Sequence, residues 1–135
     1  MNIYIASSWK NQHAVTMLTK LLRDAGHTVA SFVENNNLEW DKGISFDDWV
    51  WSELGQQSFT FDTDAAMNSD LVIYIGPSGV DAWAEVGAAL SAGVTVFGLI
   101  AKGEQVGLMR RMVTWFKSVD DLIPAIAGIQ EHNNG

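Results

Sequence analysis

Residues 71–93 read LVIYIGPSGVDAWAEVGAALSAG, which is an apolar run, a small turn and a helical pattern in direct succession. Leu71–Ile75 is short, apolar and rich in β-branched residues, as is typical of a strand buried on both faces. Residues 80–92 are mostly small and apolar, and Gly93 supplies the stop signal of a helix. A strand that leads through a turn into a helix is the unit from which parallel sheets are built.

The same alternation extends along the chain in both directions. Apolar runs predict four further strands, at residues 2–6, 27–33, 94–100 and 112–116. Helical spacing predicts further helices at residues 11–25, 45–54, 62–68, 104–111 and 118–129, the third of them capped by Asp62 or Thr63. This rhythm predicts a flavodoxin-like, doubly wound α/β fold, with a five-stranded parallel sheet in the order 2-1-3-4-5 and helices on both faces. We expect a single domain over residues 1–130 and a frayed tail over residues 131–135.

Charge and composition limit the functions that the chain can perform. Eight Lys and Arg against sixteen Asp and Glu give a net charge of −8, which disfavours binding to nucleic acid. No apolar run reaches the length of a membrane helix, about 18 residues, and the N-terminus lacks a secretory pattern. The absence of cysteine excludes disulfides and thiolate metal sites, and the three histidines lack ligand spacing. We therefore expect a cytoplasmic protein without a metal site.

Two loops are the first candidates for a binding site. Ligands of doubly wound sheets bind at the carboxyl ends of the strands, at the switch point between the first and third strands. The loops at that point carry small and polar residues and a lysine: Ser7, Ser8, Lys10, Gly76, Ser78 and Gly79. Their hydroxyls, backbone N–H groups and ammonium suit a phosphate or another anion. Helix capping explains the serines equally well.

Acidic residues close to these loops suggest a reactive site. Glu85 stands among small and apolar residues, where packing gives no reason for a carboxylate. Asp81 precedes it by one turn, and like charges at that spacing destabilise a helix by about 0.2–0.5 kcal/mol. The helix dipole favours Asp81 in the first turn but does not reach Glu85, which is either part of a solvated stripe or a functional acid. Asp62 and Asp64 can face the same cleft.

Three segments in this order resemble the nucleoside 2-deoxyribosyltransferase superfamily, which includes 2′-deoxynucleoside 5′-phosphate N-hydrolases. They are IYIASSWK, FDTDAAMNSDLVIYIGPSG and AWAEVGAALSAGVTVFGLI, at residues 3–10, 61–79 and 82–100. The resemblance implies cleavage of the N-glycosidic bond of a (deoxy)nucleoside 5′-monophosphate or nucleoside, by hydrolysis or base transfer, without a cofactor. Alternative functions are a noncatalytic nucleotide-binding module of the same fold and an NAD-type glycohydrolase.

The resemblance also implies roles for individual residues. Glu85 would be the nucleophile that attacks C1′ of the sugar, through an oxocarbenium-like transition state. Tyr4 would orient Glu85, and Asp62, or Asp64 in its place, would contact the base and help to protonate it.

The spacing of Tyr4, Ser8 and Lys10 matches the phosphate loop of the nucleotide hydrolases, with Ser78 or Gly79 as a second phosphate ligand. Asp81 has no counterpart in the family and would oppose a phosphate, so a neutral nucleoside also remains a candidate substrate.

The tryptophan-rich segment over residues 38–54 is a candidate for base stacking or for subunit contacts. The resemblance implies a homodimer or a higher homo-oligomer, with active sites close to the interface. Trp40, Trp49 or Trp51 would stack on a base or seal that interface. Ordinary core packing explains each of these tryptophans equally well.

Overall fold

The computed structural model describes residues 1–35 and 44–134 of the chain. Within these ranges five strands occur, namely β1 (Asn2–Ala6), β2 (Thr28–Ser31), β3 (Leu71–Ile75), β4 (Thr95–Leu99) and β5 (Thr114–Phe116). All neighbouring strands pair in parallel, in the order β2-β1-β3-β4-β5. The predicted flavodoxin-like topology is therefore confirmed.

Helices connect the strands and cover the sheet. In the described part of the chain they are α1 (Gln12–Asp24), α2 (Phe32–Asn35), α3 (Phe46–Val50), α4 (Glu53–Asn68), α5 (Val80–Ser91) and α6 (Val119–Asn134). Short 3₁₀ turns lie at Trp9–Asn11 and Leu108–Met112. None of the helices in residues 1–35 and 44–134 combines the length and the apolar character that a membrane span requires.

The sheet separates two apolar layers. On one side, α1 and α6 pack against alternate residues of the central strands, including Ile3 and Ile5 of β1. On the other side, α4 and α5 pack against the remaining residues, including Tyr4 of β1 and Tyr74 of β3. The helical contacts on this second side are small, with Ala66, Ala82 and Ala89 fully buried, so that both helices approach the sheet closely. This layer leaves room for two tyrosines whose hydroxyls reach beyond the apolar core.

Side chains tie the ends of β1 and β3 together. Ser7 donates its hydroxyl proton to the carbonyl of Ile75, at 2.6 Å. The amide of Asn11 donates to the Ser7 hydroxyl at 3.0 Å and to the carbonyl of Pro77 at 2.8 Å. The two loops that the sequence indicated as a binding site are therefore adjacent and fixed relative to each other.

Several element boundaries differ from the predicted ones. The second strand ends at Ser31 because Phe32 turns inward into α2, where its ring meets that of Trp9 at 5.2 Å, edge to face. Residues 104–107 are not helical, and the segment forms only the 3₁₀ turn that follows the extended Gly107. The last helix continues to Asn134, beyond the predicted end at residue 129.

The region before β3 is organised differently from the prediction. Ser52 interrupts the predicted helix over residues 45–54, because its hydroxyl accepts the N–H of Gly55 at 3.1 Å and so caps α4. From there α4 runs without a break to Asn68 and absorbs the helix predicted over residues 62–68. The prediction that Asp62 or Thr63 caps a helix is therefore wrong, because both residues lie within α4.

Candidate active site

Glu85 is a buried acid at the carboxyl end of the sheet. It shares the face of α5 on which Ala82 and Val86 pack against the strands, and it is only 8% exposed. Tyr4, fully buried on β1, donates its hydroxyl proton to the Glu85 carboxylate, at 2.9 Å from Oε2 and 3.2 Å from Oε1. Glu85 is therefore not part of a solvated stripe.

Asp62 completes a group of three ionisable side chains. It lies within α4 and is half-buried. Burial raises the pKa of Tyr4 well above its usual range, and the negative charges of Glu85 and then Asp62 raise it further. A hydrogen bond with Asp62 acts in the same direction. Tyr4 therefore stays protonated and can donate only one proton to this group.

The environment of Glu85 favours its protonated form. Burial raises the pKa of Glu85 to about 8, and the charge of Asp62 adds to this effect. The hydrogen bond from Tyr4 lowers the pKa, and the more distant charge of Asp81 raises it slightly. Near neutral pH Glu85 is therefore mostly protonated beside the charge of Asp62. Strongly shifted carboxyl groups of this kind cluster at functional sites.

The loop after β1 contains two serine hydroxyls, of which one donates a hydrogen bond to the backbone and the other has no hydrogen-bond partner among the described residues. Ser7 is buried, and its hydroxyl donates to the backbone carbonyl of Ile75 on the neighbouring strand β3. Ser8 is half-buried, and its hydroxyl oxygen has no hydrogen-bond partner among the described residues. Neither Ser8 nor Asn11 caps a helix with its side chain. Lys10 is exposed on the 3₁₀ turn that follows.

The loop after β3 leads directly into α5. Gly79 occupies the N-cap position of this helix and provides no capping side chain. Ser78 does not cap the helix, because its hydroxyl donates to the phenolic oxygen of Tyr74 at 2.8 Å. Gly76 is buried beside a carboxylate from a distant part of the chain, that of Glu104. These three predicted binding residues therefore lie in one continuous turn.

Glu104 is a functional candidate that the sequence analysis did not identify. It lies in the loop after β4, and its carboxylate accepts the Tyr74 hydroxyl at 2.7 Å and the indole N–H of Trp83 at 3.2 Å. Tyr74 and Trp83 pack against each other with ring centroids 4.7 Å apart. Nothing in the local sequence pattern connects Glu104 with residues 21 and 30 positions before it. The sequence pattern placed Glu104 only at the start of a predicted helix.

We expect the substitution Gly76→Ala to destabilise the protein by about 1–3 kcal/mol, because it overpacks a tight contact. A Cβ at this position would collide with the carboxylate of Glu104 and contact the ring of Tyr74. Urea unfolding measures the change. Gly128→Ala is the matched control, since a Cβ there meets nothing and α6 gains a better helix former. Equal stability of both variants would show that Glu104 does not lie over Gly76.

The remaining predicted residues lie further from this buried group. Asp64 and Asp81 are exposed, on α4 and in the first turn of α5. Trp49 is half-buried and stacks on a phenylalanine of its own helix, and Trp51 is 87% exposed. Trp40 lies outside the described residues. Among the side chains of residues 1–35 and 44–130, no cluster of His, Asp and Glu is arranged to hold a metal ion.

The structure thus combines a doubly wound sheet with a buried, tyrosine-bound glutamate at the switch point, where α/β enzymes of this fold class bind their ligands. Known structures narrow this class. A 2-deoxyribosyltransferase from the psychrotolerant bacterium Bacillus psychrosaccharolyticus matches at 27% identity and a TM-score of 0.69, over 89% of this chain and 88% of that chain.

This similarity supports the nucleoside 2-deoxyribosyltransferase superfamily that the sequence motifs indicated. The CMP N-glycosidase of Clostridium botulinum has the same fold, at 18% identity and a TM-score of 0.58, over 84% of this chain and 86% of that chain. No protein-family model and no curated protein sequence matches the chain. The similarity is thus visible in the three-dimensional structure and in the short motifs.

Proposed function

We propose that the protein cleaves the N-glycosidic bond of a (deoxy)nucleoside or its 5′-monophosphate and transfers the sugar to water or to another base. The observation that carries the proposal is the buried Tyr4–Glu85 pair at the switch point of the sheet. The similarity to a 2-deoxyribosyltransferase supports the same reaction class.

In the proposed first step, a carboxylate oxygen of Glu85 attacks C1′ of the sugar and the bond from C1′ to the base nitrogen breaks. The electron pair of that bond leaves with the base, which takes a proton from Asp62. Because Glu85 has to be ionised to attack, the proposal requires its proton to be on Asp62 at this moment. Tyr4, hydrogen-bonded to both oxygens of Glu85, holds the carboxylate in position.

In the proposed second step, water or an acceptor base attacks C1′ from the face that the first base has left. The ester bond between the sugar and Glu85 breaks, and Glu85 regains its negative charge. The proton of the attacking group passes to Asp62, so the group of carboxyls returns to its initial protonation. This cycle needs no group beyond the side chains already present.

A base-release assay tests the proposal. The protein is incubated with a panel of ribonucleosides, deoxynucleosides, their 5′-monophosphates and NAD, with and without a second free base, and the products are separated by chromatography. Release of a base from a nucleoside or its monophosphate is the expected result. Binding of a nucleotide without release would favour a sensing module, and release of nicotinamide from NAD alone would favour a glycohydrolase of that kind.

We also propose that the protein forms a homodimer or a larger homo-oligomer. Apolar side chains are exposed around α3 and the start of α4: Ile44, Phe46, Val50, Trp51 and Leu54. Exposed clusters of aromatic and aliphatic residues are typical of subunit interfaces. Light scattering is expected to give a mass well above the 14.8 kDa of one chain, and Trp51→Ser is expected to lower it. A wild-type mass of one chain at micromolar concentration contradicts the proposal.

A further inference from the structure

A chain of hydrogen bonds runs from the loop before α5 to the loop after β4. Ser78 donates to the hydroxyl oxygen of Tyr74 at 2.8 Å, and Tyr74 donates to both carboxylate oxygens of Glu104, at 2.7 and 2.8 Å. Tyr74 and Ser78 lie four residues apart, at the end of β3 and in the loop after it, whereas Glu104 lies 30 positions after Tyr74. Because Ser78 is next to the N-cap of α5, the chain ends at the mouth of the predicted binding site.

The direction of the protons in this chain follows from the groups themselves. The carboxylate of Glu104 can only accept hydrogen bonds, and it already takes the single proton of the Tyr74 hydroxyl. The oxygen of Tyr74 can then only accept, so Ser78 has to supply its own proton to it. The other acceptor within reach of Ser78, the carbonyl of Gly79 at 3.4 Å, also belongs to the protein. Ser78 therefore has lone pairs but no proton for a ligand.

The packing around Tyr74 keeps this direction fixed. Tyr74 is fully buried, and its ring contacts Trp83 at 4.7 Å and Trp115 at 5.7 Å. Gly98, the sheet neighbour of Tyr74, makes space for Trp115, because a Cβ there would collide with Val113 and contact the indole. Tyr74 therefore cannot change its rotamer and release the Ser78 proton without losing these packing contacts.

The negative charges near Ser78 also favour a neutral hydroxyl over a phosphate. Asp81 lies in the first turn of α5, where a bound anion would otherwise benefit from the helix N-terminus. Glu104 adds a second negative charge behind Tyr74. A phosphate at this position would be repelled by these two negative charges and would find a serine without a free proton, whereas a hydroxyl would find an acceptor for its own proton.

We propose that Glu104 and Tyr74 fix Ser78 as a hydrogen-bond acceptor, so that the loop before α5 binds a free sugar hydroxyl of the substrate and rejects a phosphate on it. The inference rests on the proposed function and narrows its substrate to molecules that leave this hydroxyl unphosphorylated. Ser78 is the residue in contact with the substrate, and Tyr74 and Glu104 are positioning residues that act through it.

The test compares a nucleoside with its 5′- and 3′-monophosphates, as the ratio of their kcat/KM values. Wild type is expected to disfavour one of the two monophosphates. Tyr74→Phe keeps the ring but frees the Ser78 proton, and we expect it to reduce this discrimination about tenfold, the effect of one hydrogen bond. Glu104→Gln should reduce the discrimination as well. Its amide can donate a proton to the Tyr74 hydroxyl oxygen and so reverse the direction of the hydrogen-bond chain.

Trp83→Phe is the matched control. It removes a hydrogen bond to Glu104 but leaves the path from Ser78 to the carboxylate intact, so the ratio should stay at the wild-type value. The inference is overturned if wild type accepts both monophosphates as well as the nucleoside. It is also overturned if Trp83→Phe changes the ratio as much as Tyr74→Phe does.

Failure of the proposed function gives a different result. If wild type releases no base from any substrate, the proposed reaction is wrong, and equilibrium titration of the same three ligands then decides the inference. Tighter binding of the nucleoside than of one monophosphate, with the difference reduced in Tyr74→Phe, supports it. Equal binding of all three ligands, or no binding of the nucleoside, overturns it.

Discussion

Replacing Glu85 by glutamine is expected to slow base release by at least about a thousandfold, as is typical when a nucleophile is removed. Glutamine preserves the shape of the side chain, and its carbonyl oxygen can still accept the hydroxyl proton of Tyr4. A neutral amide, however, cannot attack C1′ or stabilise the positive charge that develops on the sugar. Initial rates of base release under single-substrate conditions measure the loss.

The same variant should fold at least as well as wild type. Because burial raises the pKa of Glu85 to about 8, the folded protein favours the protonated group, while the unfolded chain ionises at a lower pH. Wild type therefore loses stability as the pH rises from the unfolded pKa towards 8, and Glu85→Gln does not. A melting temperature equal to or above that of wild type at pH 8 shows that the lost activity does not reflect unfolding.

Glu53→Gln is the matched control for this prediction. Glu53 is exposed in the first turn of α4, so the substitution makes the same chemical change without touching the buried group. We expect its activity to stay within a factor of about two of wild type, as for most surface substitutions. If Glu85→Gln retains more than a tenth of the activity, the assignment of Glu85 as the nucleophile is wrong.

The sheet was predictable because its strands are locally encoded. Leu71–Ile75 is a short apolar run rich in β-branched residues, which is typical of a parallel strand covered on both faces. The errors occur where a side chain or a distant contact overrides the local pattern. Phe32 continues an apolar run but turns inward to meet Trp9, and Ser52 resembles any polar helical residue until its hydroxyl caps α4.

The site was predictable to the extent that its residues lie in motifs. Tyr4 and Glu85 are separated by 81 positions. Tyr4 lies on the first strand and Glu85 on the helix after the third strand, and the family resemblance indicated both. Glu104 has no such motif, and its role depends on a contact with Tyr74 that only the folded chain creates. The direction of a proton in a hydrogen-bond chain likewise requires all of its members to be known.

The pH dependence of the reaction is expected to have a sign opposite to that of a simple carboxylate nucleophile. The reactive form of the site contains one proton, carried by Asp62, while Glu85 is ionised. The reactive form and the resting form, in which Glu85 is protonated, hold the same number of protons. The pH therefore does not change the ratio of these two forms. Above about pH 8 this proton is lost, and kcat/KM should fall about tenfold per pH unit.

The substitution Asp62→Asn should reverse this sign. Without the acid, the reaction needs only ionised Glu85, so the remaining activity should rise with pH and then level off. The midpoint should lie below 8, because the charge of Asp62 no longer raises the pKa of Glu85. Asp81→Asn keeps the acid, so its activity should still fall at high pH. The midpoint of that fall should lie slightly below the wild-type value, since the charge of Asp81 has the smaller effect on the pKa of Glu85.

Adenine or cytosine nucleosides are suitable for this measurement, since neither base loses a proton between pH 6 and pH 10, and the rates are compared at constant ionic strength. Wild-type activity that rises up to pH 8, as in Asp62→Asn, would mean that Asp62 does not protonate the base and that the departing base takes its proton from water. A fall above pH 8 in both proteins would place the essential proton on a group other than Asp62.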